Sequence, residues 1–171
     1  MKESYHVRIE HSRLTFCAAH FITFGGDVCE RLHGHNYHVA AEIHGPLDGN
    51  HYVVDFIAAC DSLQEIVDAL DHRMLLPTEH PTISVAESPG LDEGDEGEVL
   101  VAHGRRRWSF PRHDCVLLPL SNTTAELLAR YIARQLQPAL LDCMPGPPSR
   151  ILVSVDECDG QQGVCELSSG D

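Results

Sequence analysis

Three histidines between residues 20 and 35 have the spacing of a metal site. His33 and His35 are separated by one residue, so on a β-strand both imidazoles point to the same face. His20 ends an apolar run, and the turn-forming sequence Gly25-Gly26-Asp27 allows the chain to fold back and bring His20 beside the pair. Three neutral imidazoles with an open fourth position form a catalytic zinc site. The spacing therefore predicts a zinc site built from His20, His33 and His35.

Cys29 leaves two kinds of metal site open. It precedes His33 by four positions, so its thiolate could be the fourth ligand of a closed, structural site. Alternatively, Cys29 stays beside the metal as a base or nucleophile, and the site is then catalytic. A lone His-x-His pair more often packs or faces water; His20 and Cys29 together favour a metal.

The length and the charge restrict the class of protein. A chain of 171 residues with 43% hydrophobic composition is long enough for one domain with its own core. The formal net charge of -14 argues against nucleic-acid binding, which needs a basic face. We expect a single domain over residues 1–171.

The cysteines and the hydropathy indicate the compartment. No apolar run approaches membrane-spanning length, and none follows the first residues, so neither membrane insertion nor secretion is expected. An odd number of cysteines without Cys-x-x-Cys spacing suggests reduced thiols in the cytoplasm, at positions 17, 29, 60, 115, 143, 158 and 165.

Alternating apolar residues predict two N-terminal strands. The first covers most of residues 5–20, and the second continues from Asn36 to Gly45. The apolar positions of the second strand share the parity of His33 and His35, so the histidine pair extends the same face.

A first helix follows, with Asp55 as its N-cap and an apolar face that recurs up to Leu70. Asp71 and His72 come directly after it, where a carboxylate can orient an imidazole and raise its basicity. The alternative is that the two residues only end the helix, His72 being favoured there by the helix dipole.

The segment between the helices is an insertion at about residues 77–119. Its glycine-rich acidic part, within 87–98, is expected to form a loop. Val99–Val101 and Trp108–Phe110 can pair as a hairpin, with Arg105–Arg107 near its turn. These arginines could meet an anionic ligand or form a solvated charge cluster.

The C-terminal part predicts a second helix and two strands. Thr123 has the position of an N-cap with Glu126 completing a capping box, and Pro138 is expected to end the helix. Alternation over residues 151–155 predicts a strand, in which Glu157 points inward and needs a donor partner or a ligand. Residues 164–167 form a possible last strand.

The element order ββααββ predicts an α+β fold, namely a four-stranded antiparallel sheet with two helices on one face. Four strands leave open edges and an incompletely covered face, so we expect a homo-oligomer.

Six motifs together resemble the 6-pyruvoyl-tetrahydropterin synthase and 6-carboxy-tetrahydropterin synthase family. They occur in the family's order: Phe16-Cys17-Ala18-Ala19-His20, Cys29 to Tyr37, Val54-Asp55-Phe56, Leu70-Asp71-His72, Asn122-Thr123-Thr124-Ala125-Glu126, and Glu157. The resemblance covers most of the chain outside 77–119. It implies the tunnelling fold, in which the sheets of three subunits close into a barrel, two trimers stack into a hexamer, and active sites lie between subunits.

The resemblance also implies roles for the metal-site residues. His20, His33 and His35 would bind zinc, Cys29 would be the general base, and Asp71-His72 would complete its proton relay. The implied substrate is 7,8-dihydroneopterin triphosphate, whose side-chain hydroxyls zinc would bind and acidify.

Further residues would bind the pterin. The resemblance implies that Glu157 anchors the guanidine-like edge of the ring through paired hydrogen bonds, with Thr123 and Thr124 beside it.

The subgroup follows from the spacing before the histidines. Three residues separate Cys29 from His33, as in the 6-carboxy-tetrahydropterin synthases of queuosine (7-deazaguanine) biosynthesis. Glu30 stands where a related subgroup uses glutamate as the base that forms 6-hydroxymethyl-dihydropterin for folate, so Glu30 is either a second base or a solvated carboxylate.

His51-Tyr52 departs from the Gly-Met that the family usually has, and the insertion has no counterpart in its short members.

Two hypotheses in which the protein is not a catalyst remain open. One is a structural or metal-sensing zinc protein with Cys29 as the fourth ligand. The other is a non-catalytic pterin-binding protein.

Overall fold

The computed structural model describes residues 2–25, 28–90, 92, 94, 96–158 and 160–169, without the side chain of Cys158. Within these ranges the strands are β1 (Tyr5–His20), β2 (Thr23–Phe24), β3 (Val28–Cys29), β4 (His33–Gly45), β5 (Arg73–Pro77), β6 (Ser84–Ser88), β7 (Glu98–His103), β8 (Arg106–Pro111), β9 (Cys115–Leu118), β10 (Arg150–Cys158) and β11 (Gln161–Ser168). The α-helices are α1 (Phe56–Asp68) and α2 (Ala125–Ala139).

The main sheet contains the four predicted strands and two more. Its order is β11-β10-β4-β1-β5-β9, with β10 antiparallel to β4 and β11, and with β5 parallel to both β1 and β9. The α+β class is confirmed, but the sheet is six-stranded and mixed. The alternation pattern misses β5 because Met74–Pro77 are all buried. Strands covered on both faces read as a continuous apolar run.

Contacts divide the chain into two compact units. The first comprises the described residues of Met1–Phe16, Asn36–Asp71 and Ala125–Asp171, and the second those of Cys17–His35 and His72–Thr124. The expectation of a single domain therefore stays a prediction.

Both helices belong to the first unit. The Asp55 carboxylate caps α1, as predicted, by accepting hydrogen bonds from the backbone N–H groups of Ile57 and Ala58. Helix α2 packs against α1, β10 and β11, and its buried stripe consists of Ala125, Leu128, Ala129, Ile132, Ala133 and Leu136.

The predicted ends of α2 are each wrong by one residue. The helix begins at Ala125, so the position before it belongs to Thr124 and not to Thr123. The buried Thr123 hydroxyl instead donates to the Phe21 carbonyl at 3.1 Å. Pro138 lies inside the last turn of the helix, where its ring does not stop the chain from continuing to Ala139.

The second unit contains two hairpins. Strands β7 and β8 pair as predicted, Val99 opposite Phe110 and Val101 opposite Trp108, and β6 adds a third strand. Strands β2 and β3 pair antiparallel, so the chain does fold back before His33. Gly26 and Asp27 of that predicted turn lie outside the described residues, as do Leu91, Glu93 and Asp95 of the acidic loop.

The β7-β8 hairpin and β5 share a core. It consists of Phe21, Met74, Leu76, Ile83, Val99, Val101 and Cys115. Burial raises the pKa of the Cys115 thiol to about 11.

None of the helices in the described part of the chain combines the length and apolar content needed to cross a bilayer.

Replacing Gly163 with Ala tests the packing of α2 on β11. A Cβ at this buried glycine would lie 2.4 Å from the backbone of Ala125 and Glu126, so either the helix or the strand must move. We expect Gly163→Ala to lower the free energy of unfolding in urea by about 1–3 kcal/mol. Gly49→Ala is the control, since a Cβ there meets nothing within 4 Å, and it should change stability by less than about 0.5 kcal/mol. Equal stability of the two variants would contradict the helix-strand packing.

Candidate metal centre

The strand ends bring the three predicted histidines together. His20 is the last residue of β1, and His33 and His35 are the first and third residues of β4. Their potential ligand atoms all lie within 4.8 Å of one another, an arrangement that can hold a metal ion. His20 is buried, whereas 38% of the His33 side chain is exposed. The cluster thus has a buried side and an open side.

Backbone carbonyls fix the tautomers of two of these histidines. Nδ1 of His20 lies 2.9 Å from the Thr123 carbonyl oxygen, and Nδ1 of His33 lies 2.8 Å from that of Arg31. Because a carbonyl oxygen only accepts, each Nδ1 carries the hydrogen and donates it. The Nε2 atom of each neutral ring therefore presents a lone pair.

These two lone pairs face each other. The Nε2 atoms of His20 and His33 are 3.2 Å apart, and without a proton between them they repel. A tetrahedral zinc ion with bonds of about 2.0–2.1 Å to nitrogen places two ligand atoms about 3.3 Å apart. The separation therefore fits two ligands of one ion.

Burial keeps His20 in the ligand form. It is the largest effect that lowers the pKa of His20, to about 4, while the Thr123 carbonyl acts in the opposite direction and the neighbouring His33 and His35 add to the lowering. His20 is consequently neutral at pH 7.

Gly34 allows the two strands to approach at the cluster. A Cβ at this position would lie 3.0 Å from the Ala18 carbonyl oxygen, which is closer than side-chain carbons normally come. The residue between the two histidines of β4 is therefore small for a steric reason.

Cys29 does not belong to the group of ligand atoms. Among the residues that the structure describes, that group contains the three histidines only. Cys29 is half-buried on β3, opposite Thr23, and its Sγ lies 3.5 Å from the Glu30 carbonyl oxygen. The geometry thus resembles an open three-histidine site more than a closed site with a fourth, sulfur ligand.

Glu30 lies beside the cluster. Its carboxylate is 3.8 Å from Nε2 of His33, and 35% of the side chain is exposed. It is close enough to interact with the histidines without being one of the grouped ligand atoms.

The other predicted residues are placed as follows. Asp71 lies in the turn after α1 and Glu157 in β10, both half-buried and both in the first unit. His72 belongs to the second unit, has a left-handed φ of 54° and donates its backbone N–H to the Cys17 carbonyl at 2.7 Å. Their joint role in one site stays a prediction.

Two contacts at the candidate site have no sequence signal. Thr123 acts on His20 through its backbone carbonyl, which any residue type would supply. Arg106 of β8 donates hydrogen bonds to the carbonyl oxygens of Cys29 and Glu30. The sequence shows a basic cluster there but not its target.

The sequence matches a known enzyme family over most of its length. The sequence model of the 6-pyruvoyl tetrahydropterin synthase family matches residues 10–166. The chain belongs to this family. A relative from Methanocaldococcus jannaschii, whose proposed activity is that of a 6-carboxy-5,6,7,8-tetrahydropterin synthase, is 33% identical over 156 residues, 91% of this chain and 90% of the relative. A Pyrococcus horikoshii protein with the same proposed activity is 32% identical over 122 residues, 71% of this chain and 68% of the relative.

Solved structures agree with the family fold. The 6-pyruvoyl tetrahydropterin synthase of Plasmodium falciparum superposes with a TM-score of 0.86 at 26% identity, covering 98% of this chain and all of that one. A catalytic-residue mutant of the Plasmodium vivax enzyme, with alanine in place of glutamate, gives 0.85 at the same identity and coverage. Because 98% of this chain is covered, the alignment includes the inserted segment. The chain is an enzyme of the tetrahydropterin synthase type with the tunnelling fold.

Single replacements of the three histidines with Asn test the metal centre. Each replacement removes one ligand, so each should weaken zinc binding at pH 7 by more than about 100-fold. This loss is larger than the effect of removing a hydrogen-bond partner outside the coordination sphere. The measurement is competition with a chromophoric chelator. His38→Asn is the control, since His38 lies on the same strand and contacts Thr15 instead, and it should bind zinc as the parent does. Parental affinity in His33→Asn and His35→Asn would contradict the site.

Proposed function

We propose that this chain is a zinc-dependent lyase that converts 7,8-dihydroneopterin triphosphate and water to 6-carboxy-5,6,7,8-tetrahydropterin, acetaldehyde and inorganic triphosphate, in queuosine (7-deazaguanine) biosynthesis. The observation that carries the proposal is the pair of facing Nε2 atoms of His20 and His33, with Cys29 near them in sequence but outside the ligand group. The proposed activity of the archaeal relatives and the three-residue interval between Cys29 and His33 support the carboxy product.

The donor set favours zinc as the metal. Three neutral imidazoles and an open position are typical of catalytic zinc, and the Thr123 carbonyl orients the buried ligand as outer partners do in such sites. When bound, the ion supplies Lewis acidity that lowers the pKa of the substrate's side-chain hydroxyls.

Cys29 is the proposed general base. As a thiolate it would take a proton from the substrate side chain. Cys29 is half-buried on a short hairpin and is not among the grouped ligand atoms, which supports a role in proton transfer over a role as fourth ligand. Asp71 and His72 are proposed to pass the proton on, as the family resemblance implies.

Pterin binding is proposed for Glu157 and Thr124. Glu157 would accept paired hydrogen bonds from the guanidine-like edge of the ring. Thr123 was expected beside the same ring, but it is buried and its hydroxyl donates to Phe21. We therefore assign Thr123 to orienting His20, and Thr124, which is half-buried, to the substrate.

The working form is proposed to be a cytoplasmic homohexamer, a dimer of trimers with active sites between subunits. Large apolar side chains on the surface of the first unit would be covered by such an assembly, among them Phe56 (62% exposed) and Ile57 (74% exposed). The free thiols of Cys60, Cys115 and Cys165 are compatible with a reducing compartment.

A second product is favoured by the place of Glu30. Its carboxylate lies 3.8 Å from His33 Nε2, where it could serve as a second base. The Plasmodium vivax structure, in which a catalytic glutamate is replaced, supports a catalytic role for a carboxylate in this family. The candidate reaction is cleavage to 6-hydroxymethyl-dihydropterin for folate synthesis.

Product analysis of two matched variants tests the proposal. The purified protein is incubated with 7,8-dihydroneopterin triphosphate, and carboxy-, pyruvoyl- and hydroxymethyl-pterins are separated by mass. Cys29→Ala should retain its zinc and lose carboxy-product formation by about 100-fold or more, since a positioned base contributes that much. Glu30→Gln should keep the carboxy product and suppress any hydroxymethyl product.

Three outcomes would overturn parts of this proposal. Pyruvoyl-tetrahydropterin as the only product would exclude the carboxy assignment. Loss of zinc from Cys29→Ala would make the cysteine a ligand and favour a structural site. Binding of the substrate with its recovery unchanged would leave a pterin-binding protein.

A further inference from the structure

We propose that Arg106 is a positioning residue, through which the inserted segment (residues 77–119) fixes the backbone that carries Cys29 and Glu30. The inference deepens the proposed function, because Cys29 and Glu30 are its proposed bases. It also assigns a role to a basic cluster for which the sequence left phosphate binding open.

The contact is direct and comes from one guanidinium nitrogen. Nη1 of Arg106 donates to the carbonyl oxygen of Cys29 at 2.8 Å and to that of Glu30 at 2.6 Å. Hydrogen bonds from a charged donor are stronger than those between neutral groups. Two consecutive carbonyls are thus held in one orientation, which restricts the peptide plane between the two proposed bases.

The Arg106 side chain is itself held in place by aromatic rings. Its guanidinium carbon lies 4.8 Å from the centre of the Trp108 ring, and Trp108 stacks on Phe21 with ring centres 4.8 Å apart and planes at 14°. Phe21 is buried and directly follows His20. The same stack therefore connects the end of β1, which carries the proposed ligand His20, to the end of β3, which carries Cys29.

A second contact from the inserted segment supports the other strand of the hairpin. His80 Nδ1 accepts the backbone N–H groups of Thr82 and Ile83, at 3.1 and 3.0 Å. Its Nε2 therefore carries the hydrogen and donates to the Thr23 hydroxyl at 2.7 Å. Thr23 is the register partner of Cys29.

The hairpin needs such support because it is very short. Strands β2 and β3 contain two residues each, and an isolated pair of strands is marginally stable even when longer. The inserted segment contacts both strands, so the position of Cys29 depends on residues distant from it in sequence.

The same contacts argue against phosphate binding by Arg106. Both of its hydrogen bonds given above go to main-chain oxygens, and Arg107 likewise donates to the carbonyls of Gly104 and Arg106. A positioning role and a phosphate-binding role also differ kinetically. Misplacing a base lowers kcat, whereas losing a phosphate contact mainly raises KM.

The test compares Arg106→Met, which keeps the apolar stem and removes the donors, with Arg106→Lys, whose ammonium can donate to both carbonyls. Arg112→Ala is the charge-matched control in the same segment, since Arg112 pairs with Glu87. Turnover of dihydroneopterin triphosphate gives kcat and KM. Amide exchange in the substrate-free, zinc-loaded protein reports on the Glu30 N–H, which donates to the Ile22 carbonyl at 2.9 Å.

For Arg106→Met we expect kcat to fall roughly 10- to 100-fold with KM within about threefold, and Glu30 amide exchange to accelerate about tenfold or more. Arg106→Lys should recover most of both. Arg112→Ala should stay within about twofold of the parent in kcat, KM and exchange. If Arg106→Met does not fold, Arg106→Gln, which retains a neutral donor, replaces it and should give an intermediate effect.

Two results would overturn the inference. One is unchanged exchange of the Glu30 amide in Arg106→Met; the other is a raised KM with parental kcat, which would make Arg106 a phosphate ligand. Failure of the proposed function looks different, because then the parent protein turns over no pterin while the exchange rates still decide whether Arg106 holds the hairpin.

Discussion

The candidate site depends on two imidazole nitrogens whose lone pairs face each other when both rings are neutral. The tautomers of His20 and His33 are set by hydrogen bonds from Nδ1 to main-chain carbonyls, and both Nε2 lone pairs therefore point into the 3.2 Å gap. Such an arrangement is unfavourable in an empty neutral site and favourable around a divalent cation. The proposed metal ion would turn the repulsion between these two lone pairs into coordination of one cation.

Several residues of the chain stabilise that geometry. Thr123 is buried and uses both its carbonyl and its hydroxyl, the first on His20 and the second on Phe21. Gly34 lets β4 approach β1 between the two histidines of β4. The inserted segment stabilises the β2-β3 hairpin through His80 and Arg106. The three histidines thus lie at the ends of the long strands β1 and β4, and the short hairpin beside them is held by contacts from other residues.

The sequence predicts the parts of this structure that depend on side-chain identity and period. The alternation around His33 and His35 places them on one face of a strand, and Asp55 marks the start of α1 because its carboxylate can cap exposed N–H groups. Strand β5 was missed because its residues are buried on both faces and leave no alternation. The position of Thr123 was misread because capping patterns cannot tell a cap from a buried tertiary contact.

Contacts made by the backbone account for most of what the sequence did not predict. Thr123 and Arg31 orient the histidines through carbonyls that every residue possesses, and Arg106 binds two more such carbonyls. Arg105–Arg107 were recognisable as a basic cluster, but the target of Arg106 is about 76 positions away in sequence. Only the folded arrangement shows which arginine contacts the backbone of Cys29 and Glu30.

In the proposed site one zinc ion is held by three imidazoles, with the nearby sulfur outside its coordination sphere. X-ray absorption at the zinc edge, on the zinc-loaded protein, measures this directly. We expect three nitrogen ligands and an oxygen at about 2.0–2.1 Å and no sulfur. A sulfur ligand at about 2.3 Å would contradict it.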